Sequence, residues 1–268
     1  MGHVRPSRRW SLAVAVVVAA VALAVAVRGP ADDAVSGDRV PQDRPGPVLL
    51  VPGYGGGTQE LGVLAATLRA AGREVVLVST GGAAADLREQ AAAVGRAADE
   101  QLSAGAPSVD VIGYSSGGVV SRIWAAELGG AGVARRIVTL GSPHHGTDVA
   151  RLGAALAPGA CPEACRQLVP GSELLADLEE TLPGPLWTAV WTAQDTVVTP
   201  PESGRLDGAV NVRAQDVCSD AEIGHGQLPT DPLVVGLVVL AIGVEPLDEV
   251  PDAALCDELR ATGRSPAG

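Results

Sequence analysis

Phenylalanine is absent from the 268 residues, and aromatic side chains make up only 2% of them. The core must therefore be built from small aliphatic side chains, drawn from a chain rich in alanine, valine and glycine. The usual nucleotide cradles are missing too. The glycine-rich turn Pro52-Gly53-Tyr54-Gly55-Gly56-Gly57 lacks the lysine and spacing of a P-loop, and it lacks a G-x-G-x-x-G pattern. Positive charge is scarce: the net charge is −12, and a basic cluster stands at the extreme N-terminus, which argues against nucleic acid as a partner. No histidine neighbours the cysteines at ligand spacing, so a zinc site is not indicated. No cysteine follows the N-terminal apolar run, which excludes a lipoprotein anchor.

What is present begins with Arg5, Arg8 and Arg9, then Trp10-Ser11-Leu12 and an unbroken apolar run to Val27. A basic start followed by an apolar stretch is a targeting segment. Residues 1–28 read as a cleaved signal peptide or as an uncleaved transmembrane anchor, an N-terminal hydrophobic helix ahead of the fold. The positive flank predicts an exported domain, secreted or held on the extracytoplasmic side of the membrane. Residues 29–47 carry proline, glycine, aspartate and arginine without periodicity and read as a flexible tether. Cys161, Cys165, Cys218 and Cys256 are an even number, which in an exported chain suggests two disulfides with three possible pairings. Cys161–Cys165 would close a small loop, and Cys218–Cys256 would tie the C-terminal tail to the domain; this set is favoured over free thiols in a cytosolic protein.

The length suffices for one sizeable α/β domain, placed at residues 48–246. Strands are expected at 48–51, 74–79, 109–112, 136–140, 186–192 and 209–212. Helical patterns fall at about 58–71, 86–102, from the turn after residue 114 to about 128, and at 232–242. Residues 148–185 lack strand signals, hold a short helix at about 172–182, and read as a lid-like insertion. Residues 247–268 read as an acidic tail. Strands alternating with helices predict an α/β fold, a mostly parallel sheet with helices on both faces. In such sheets a site lies at the carboxyl ends of the strands.

The chain is organised around Val109-Asp110-Val111-Ile112-Gly113-Tyr114-Ser115-Ser116-Gly117. Strand, G-x-S-x-G, helix is the context of a nucleophile elbow. The turn must be so sharp that Ser115 is strained and its hydroxyl stands clear, and Gly113 and Gly117 leave room for the neighbouring strand and helix. The new helix aims its free N–H groups at the place where an oxyanion would form. The glycine turn after the first strand would add a second donor, the backbone N–H of Tyr54. The bland alternative is a glycine-rich strand–helix turn without chemistry.

A serine hydroxyl needs a base, and the base needs an acceptor that holds its tautomer. Of the four histidines, His3 precedes the apolar run, and His144 and His145 follow the strand after the nucleophile. His225 sits between glycines after the last strand, able to reach back across the sheet. Asp195 follows a strand end, with Asp207 and Asp216 as fallback acids. Nucleophile, acid and histidine then run in the order Ser115, Asp195, His225, the order of α/β-hydrolases. Trp124, Trp187 and Trp191 read as core, and His144 and His145 as residues that shape their loop.

With these residues in place, residues 48–242 resemble the α/β-hydrolase lipases and esterases, and especially the small secreted bacterial triacylglycerol lipases. Thr139-Leu140-Gly141-Ser142-Pro143-His144-His145-Gly146-Thr147 is similar to the lipase segment T-x-x-x-P-H-x-G-T, which lines the cleft. Residues 191–198 resemble the loop of the family's acid, and residues 223–228 the loop of its histidine. The resemblance implies oxyanion donors at Tyr54 and Ser116. Lipases of the family commonly carry His-Gly where this chain has Pro52-Gly53. The expectation is thus a monomeric hydrolase of lipid or other carboxylic esters, reaching the membrane through its N-terminal helix if uncleaved and needing no metal or organic cofactor. The same residues would serve an acyltransferase or thioesterase, and the fold also serves non-catalytic binding modules.

Overall fold

The computed structural model describes residues 39–82 and 85–264. The apolar run expected to be a signal or anchor lies outside them, and no described helix is long and apolar enough to cross a membrane.

Six strands form one sheet: β1 (Val48–Val51), β2 (Val75–Leu77), β3 (Val109–Tyr114), β4 (Ala134–Leu140), β5 (Leu186–Trp191) and β6 (Val210–Arg213). The order is β2-β1-β3-β4-β5-β6, and every pairing is parallel. The chain starts at β1, steps to β2 on one side, then returns past β1 and adds strands on the other. The order therefore reverses between β1 and β3, which opens a crevice at their carboxyl ends.

The helices are α1 (Gly62–Ala70), α2 (Leu87–Ser103), α3 (Ser116–Glu127), α4 (Asp148–Leu156), α5 (Glu163–Gln167), α6 (Glu173–Asp177), α7 (Ala214–Val217), α8 (Pro232–Ala241) and α9 (Cys256–Gly263). Strand side chains alternate between two buried faces, as a pleat covered on both sides requires. Val48, Leu50, Ile112, Tyr114, Val138 and Leu140 join α1, α8 and α9 in one core. Leu49, Val51, Val109, Val111 and Ile137 join α2 and α3 in the other. Each fully buried leucine or valine contributes roughly 1.5–3 kcal/mol, and Trp124, Trp187 and Trp191 are all buried.

Several helix starts follow from local chemistry. Asp86 accepts from Arg88 N at 2.6 Å ahead of α2, and Asp231 accepts from Leu233 N at 2.8 Å ahead of α8, where Pro232 takes the first helical position. The segment expected to be a lid-like insertion with one short helix holds α4 and α5 as well as α6, and the helix expected over 172–182 is confined to Glu173–Asp177. The segment read as a tail contains α9, which packs tightly on α8: a Cβ on Gly236 would fall on Leu259 O, and one on Gly263 on Pro232 O. Cys161 is bonded to Cys165 and Cys218 to Cys256.

At the amino ends of the strands Asp110 is fully buried and accepts from Arg135 Nε at 3.0 Å, and from Arg135 Nη2 and Arg73 Nη2 at 2.6 Å each. The two arginines also donate to Gln42 O, Gly46 O, Ile242 O and Gly243 O. The described part of the expected tether is thereby held against this end of the sheet, opposite Ser115.

Candidate functional site

Ser115 ends β3 and begins α3 with φ 53° and ψ −127°, and it is the one non-glycine residue with positive φ among the described residues. Such a backbone costs a non-glycine residue about 1–3 kcal/mol and persists only where the surroundings enforce it. They do so here. Ser115 N donates to Leu140 O at 2.8 Å, and Gly141 N to Val190 O at 2.8 Å, so the ends of β3, β4 and β5 are hooked in series. A Cβ on Gly113 would lie 2.5 Å from Gly117 O, and one on Gly117 would strike Val51 O. Gly118, which sequence reasoning passed over, is also required small, because a Cβ there would collide with Ser142 Oγ.

A serine at a helix N-cap ordinarily accepts a hydrogen bond from the first turn. Ser115 makes no such cap. Its hydroxyl faces His225 instead, with Oγ 3.0 Å from Nε2. His225 Nδ1 lies 2.7 Å from Asp195 Oδ2, and Asp195 Oδ1 accepts from Val197 N at 2.9 Å and Val198 N at 2.8 Å. In the tautomer with the proton on Nδ1, His225 donates to the carboxylate and turns the Nε2 lone pair to the serine. His225 is 8% exposed and Asp195 5%, while Ser115 is partly open to solvent. The structure thus brings together Ser115, Asp195 and His225, which lie far apart in sequence. It does not bring the fallback acids to His225: Asp207 lies by Glu180 and Thr181, and Asp216 pairs with Arg213 at the surface.

The Pro52–Tyr54 turn lies against the elbow. A Cβ on Gly53 would be 3.0 Å from Ser115 Cβ, and one on Gly117 would meet Pro52 O. The N–H groups of Tyr54 and Ser116 therefore belong to two segments that meet beside the serine, and the second opens α3, whose first N–H groups have no intrahelical acceptor. The Tyr54 side chain is exposed.

Beneath the site, Arg122 on α3 is fully buried. It donates to His144 O at 3.1 Å, Leu178 O at 3.1 Å and Glu179 O at 2.8 Å, tying the elbow helix to the segment after α6. Burial lowers its pKa to about 10, against the pull of Glu180. His144 is buried, with Nε2 3.0 Å from Thr139 Oγ1. Burial, then the charge of Arg122, then His145, hold it well below its ordinary pKa of 6.5, so it is a neutral part of the packing. His145 is half-exposed and bonds Glu180 Oε1 at 2.9 Å. Neither histidine reaches Ser115.

Gly141 is a further residue of the site. Its φ is +52°, and an added Cβ would strike Leu228 Cδ1 and lie 3.2 Å from Asp195 Oδ2 and 3.3 Å from His225 Nδ1. Its only signal in the sequence is its place at the head of the G-S-P-H-H-G-T segment.

No protein-family profile matches the chain, and comparison with curated proteins finds no match. Solved structures do. The mature form of Bacillus licheniformis lipase BlEst2 superposes with a TM-score of 0.59 at 17% identity, over 74% of this chain and 91% of that one. Aspergillus fumigatus lipase B gives 0.61 at 21% identity over 82% of this chain, which spans only 60% of the fungal protein. MGS-MChE2, an α/β hydrolase from the metagenome of lagoon sediments in Morocco, gives 0.52 at 14% identity over 74% and 90%. At these identities the likeness is one of fold. Strand order, parallel pairing and superposition together define an α/β-hydrolase fold, and the neighbours named here are lipases and a hydrolase.

Proposed function

We propose that the chain is a serine hydrolase of carboxylic esters acting through an acyl-enzyme on Ser115. Ser115 Oγ attacks the ester carbonyl while His225 Nε2 takes its proton. Asp195 holds the Nδ1 tautomer and stabilises the imidazolium. The oxyanion is received by the N–H groups of Tyr54 and Ser116, each donor worth on the order of 10²-fold in rate. The intermediate collapses, and the departing alcohol takes the proton from His225. Water then repeats the sequence, releasing the acid and free serine. The chemistry calls on no metal or organic cofactor.

The observation that carries this reading is the hydrogen-bonded chain from Ser115 to His225 at 3.0 Å and on to Asp195 at 2.7 Å, starting from a serine that forgoes capping its own helix. Lipid esters are the favoured substrates. Helix α4 exposes Val149, Leu152 and Leu156 at 48%, 54% and 80%, three apolar residues on one face. It begins beside the acid's loop, where Thr147 Oγ1 donates to Val197 O at 2.6 Å and Asp148 N to Thr199 O at 2.8 Å. In this reading residues 148–185 are the lid-like insertion, and the apolar face of α4 meets acyl chains. Export, anchored or secreted, is supported by the two disulfides and the N-terminal apolar run.

The test is steady-state hydrolysis of p-nitrophenyl esters of increasing chain length, followed by an emulsified triacylglycerol. Wild type is expected to hydrolyse them with a preference for longer chains, and Ser115→Ala to be inactive. Full activity in Ser115→Ala would rule the mechanism out.

A further inference from the structure

His225 lies in a loop with little regular structure of its own, since residues 218–224 form neither helix nor strand. Yet its ring must meet Ser115 on one side and Asp195 on the other. The loop is pinned from outside at alternating carbonyls. Gln215 Nε2 donates to Ala221 O at 3.1 Å, Thr192 Oγ1 to Ile223 O at 2.8 Å, and the Tyr114 hydroxyl to His225 O at 3.2 Å. Side chains do here what a neighbouring strand would do for a strand.

The origins of these donors matter. Tyr114 is the last residue of β3, directly before Ser115. Thr192 follows β5, in the turn where Asp195 N donates to Thr192 O at 3.3 Å. The strand of the nucleophile and the strand of the acid each reach out to the loop of the base. Both donors are committed. Thr192 is fully buried and its oxygen already accepts from Gln215 Nε2 at 2.9 Å and Gln194 N at 3.2 Å, so its proton is left for Ile223 O. Tyr114 is buried, with its ring centroid 5.3 Å from that of the imidazole. Burial first, then the charges of Glu60 and Asp195, push its hydroxyl well above the ordinary tyrosine pKa, so it remains a donor.

We propose that Tyr114 and Thr192 are positioning residues for His225, their hydroxyls setting the loop so that one ring nitrogen meets Ser115 while the other meets Asp195. This rests on the serine-hydrolase function proposed above. Neither residue touches the reacting atoms, so each acts through the geometry of the histidine. Loss of the Thr192 hydroxyl leaves Ile223 O unpaired, loss of the Tyr114 hydroxyl leaves His225 O only the bond from Leu228 N within its own turn at 3.2 Å, and either lets the loop shift; a displacement near 1 Å at a reacting group costs on the order of 10²-fold in rate.

The experiment compares wild type with Tyr114→Phe, Thr192→Val, Thr192→Ser and the Tyr114→Phe/Thr192→Val pair. Each is assayed with p-nitrophenyl butyrate well below its thermal midpoint. In parallel, proton NMR follows the low-field resonance of the His225 Nδ1–H shared with Asp195. Tyr114→Phe and Thr192→Val are expected to lower kcat by roughly 10-fold to 100-fold with KM unchanged, and to broaden that resonance by faster exchange. Thr192→Ser, which keeps the hydroxyl, is expected to restore both. Folded variants with wild-type kcat and a sharp resonance would overturn the proposal, as would equal losses in Thr192→Val and Thr192→Ser. If wild type itself does not turn over ester, the hydrolase reading fails. The resonance then decides alone: broadening in Tyr114→Phe and Thr192→Val supports the pins, and no change refutes them.

Discussion

Gly141 is placed so that any side chain on it would press on His225: an added Cβ would lie 3.3 Å from Nδ1 and 3.2 Å from the Asp195 oxygen bonded to it. Its positive φ adds strain for any other residue. Gly141→Ala is therefore expected to fold with a loss of about 1–3 kcal/mol and to lose roughly 10²-fold in kcat/KM. Chemical denaturation and ester hydrolysis on the same sample check both. A folded Gly141→Ala variant with wild-type activity would mean that the Asp195–His225 pair tolerates displacement.

The choice of acid is equally open to test. Asp195→Asn keeps the shape but not the charge, and the wrong tautomer of His225 is then favoured. The expected loss in kcat is about 10³- to 10⁴-fold. Asp207→Asn and Asp216→Asn, whose side chains lie away from His225, are expected to stay within about twofold of wild type, since surface substitutions away from such features are nearly neutral.

His144 predicts a pH dependence of stability. Folding holds it neutral, with its pKa well below 6.5, because burial penalises the charged ring. The unfolded chain takes up that proton at the ordinary value. Below that value the unfolded state binds more protons than the folded one, so stability falls as pH falls through about 6.5 and continues to fall until the folded ring itself protonates. His144→Gln removes this contribution. The drop in thermal midpoint between about pH 7 and pH 5 is expected to be smaller in the variant, and an unchanged drop would assign the dependence to other groups.

The two disulfides are expected to differ in value. Cys218–Cys256 spans 38 residues and Cys161–Cys165 spans 4. Loop-closure entropy then assigns about 4 kcal/mol to the first and about 2 kcal/mol to the second. Paired Cys→Ser substitutions followed by urea titration measure this, and the larger loss should follow removal of Cys218–Cys256, which joins the start of the His225 loop to α9.

Much of the fold was legible because its strands are short β-branched runs with a pleat period buried on both sides, as at Val48–Val51 and Val109–Tyr114. The elbow was legible because only glycine fits at positions 113 and 117. Helix α4 was not: it is only nine residues long, its apolar face of Val149, Leu152 and Leu156 is exposed instead of packed in a core, and its capping residue Thr147 also serves Val197. Helix α9 was hidden because its burial depends on Gly236 and Gly263 admitting close contacts across the α8–α9 pair. Gly141, Tyr114 and Thr192 escaped for a related reason. Their partners lie up to 111 residues away, and no local periodicity encodes a hydroxyl that reaches another loop's carbonyl. Arg122 reads as one more arginine until the fold buries it under three carbonyls.

The central claim is that Ser115 is an activated nucleophile. Fluorophosphonate labelling of the purified chain, mapped by mass spectrometry, tests it directly beside Ser115→Ala and His225→Ala. The account predicts one phosphonyl adduct, on Ser115, absent from both variants. A folded wild-type sample that takes up no probe, or that labels equally well without His225, would contradict it.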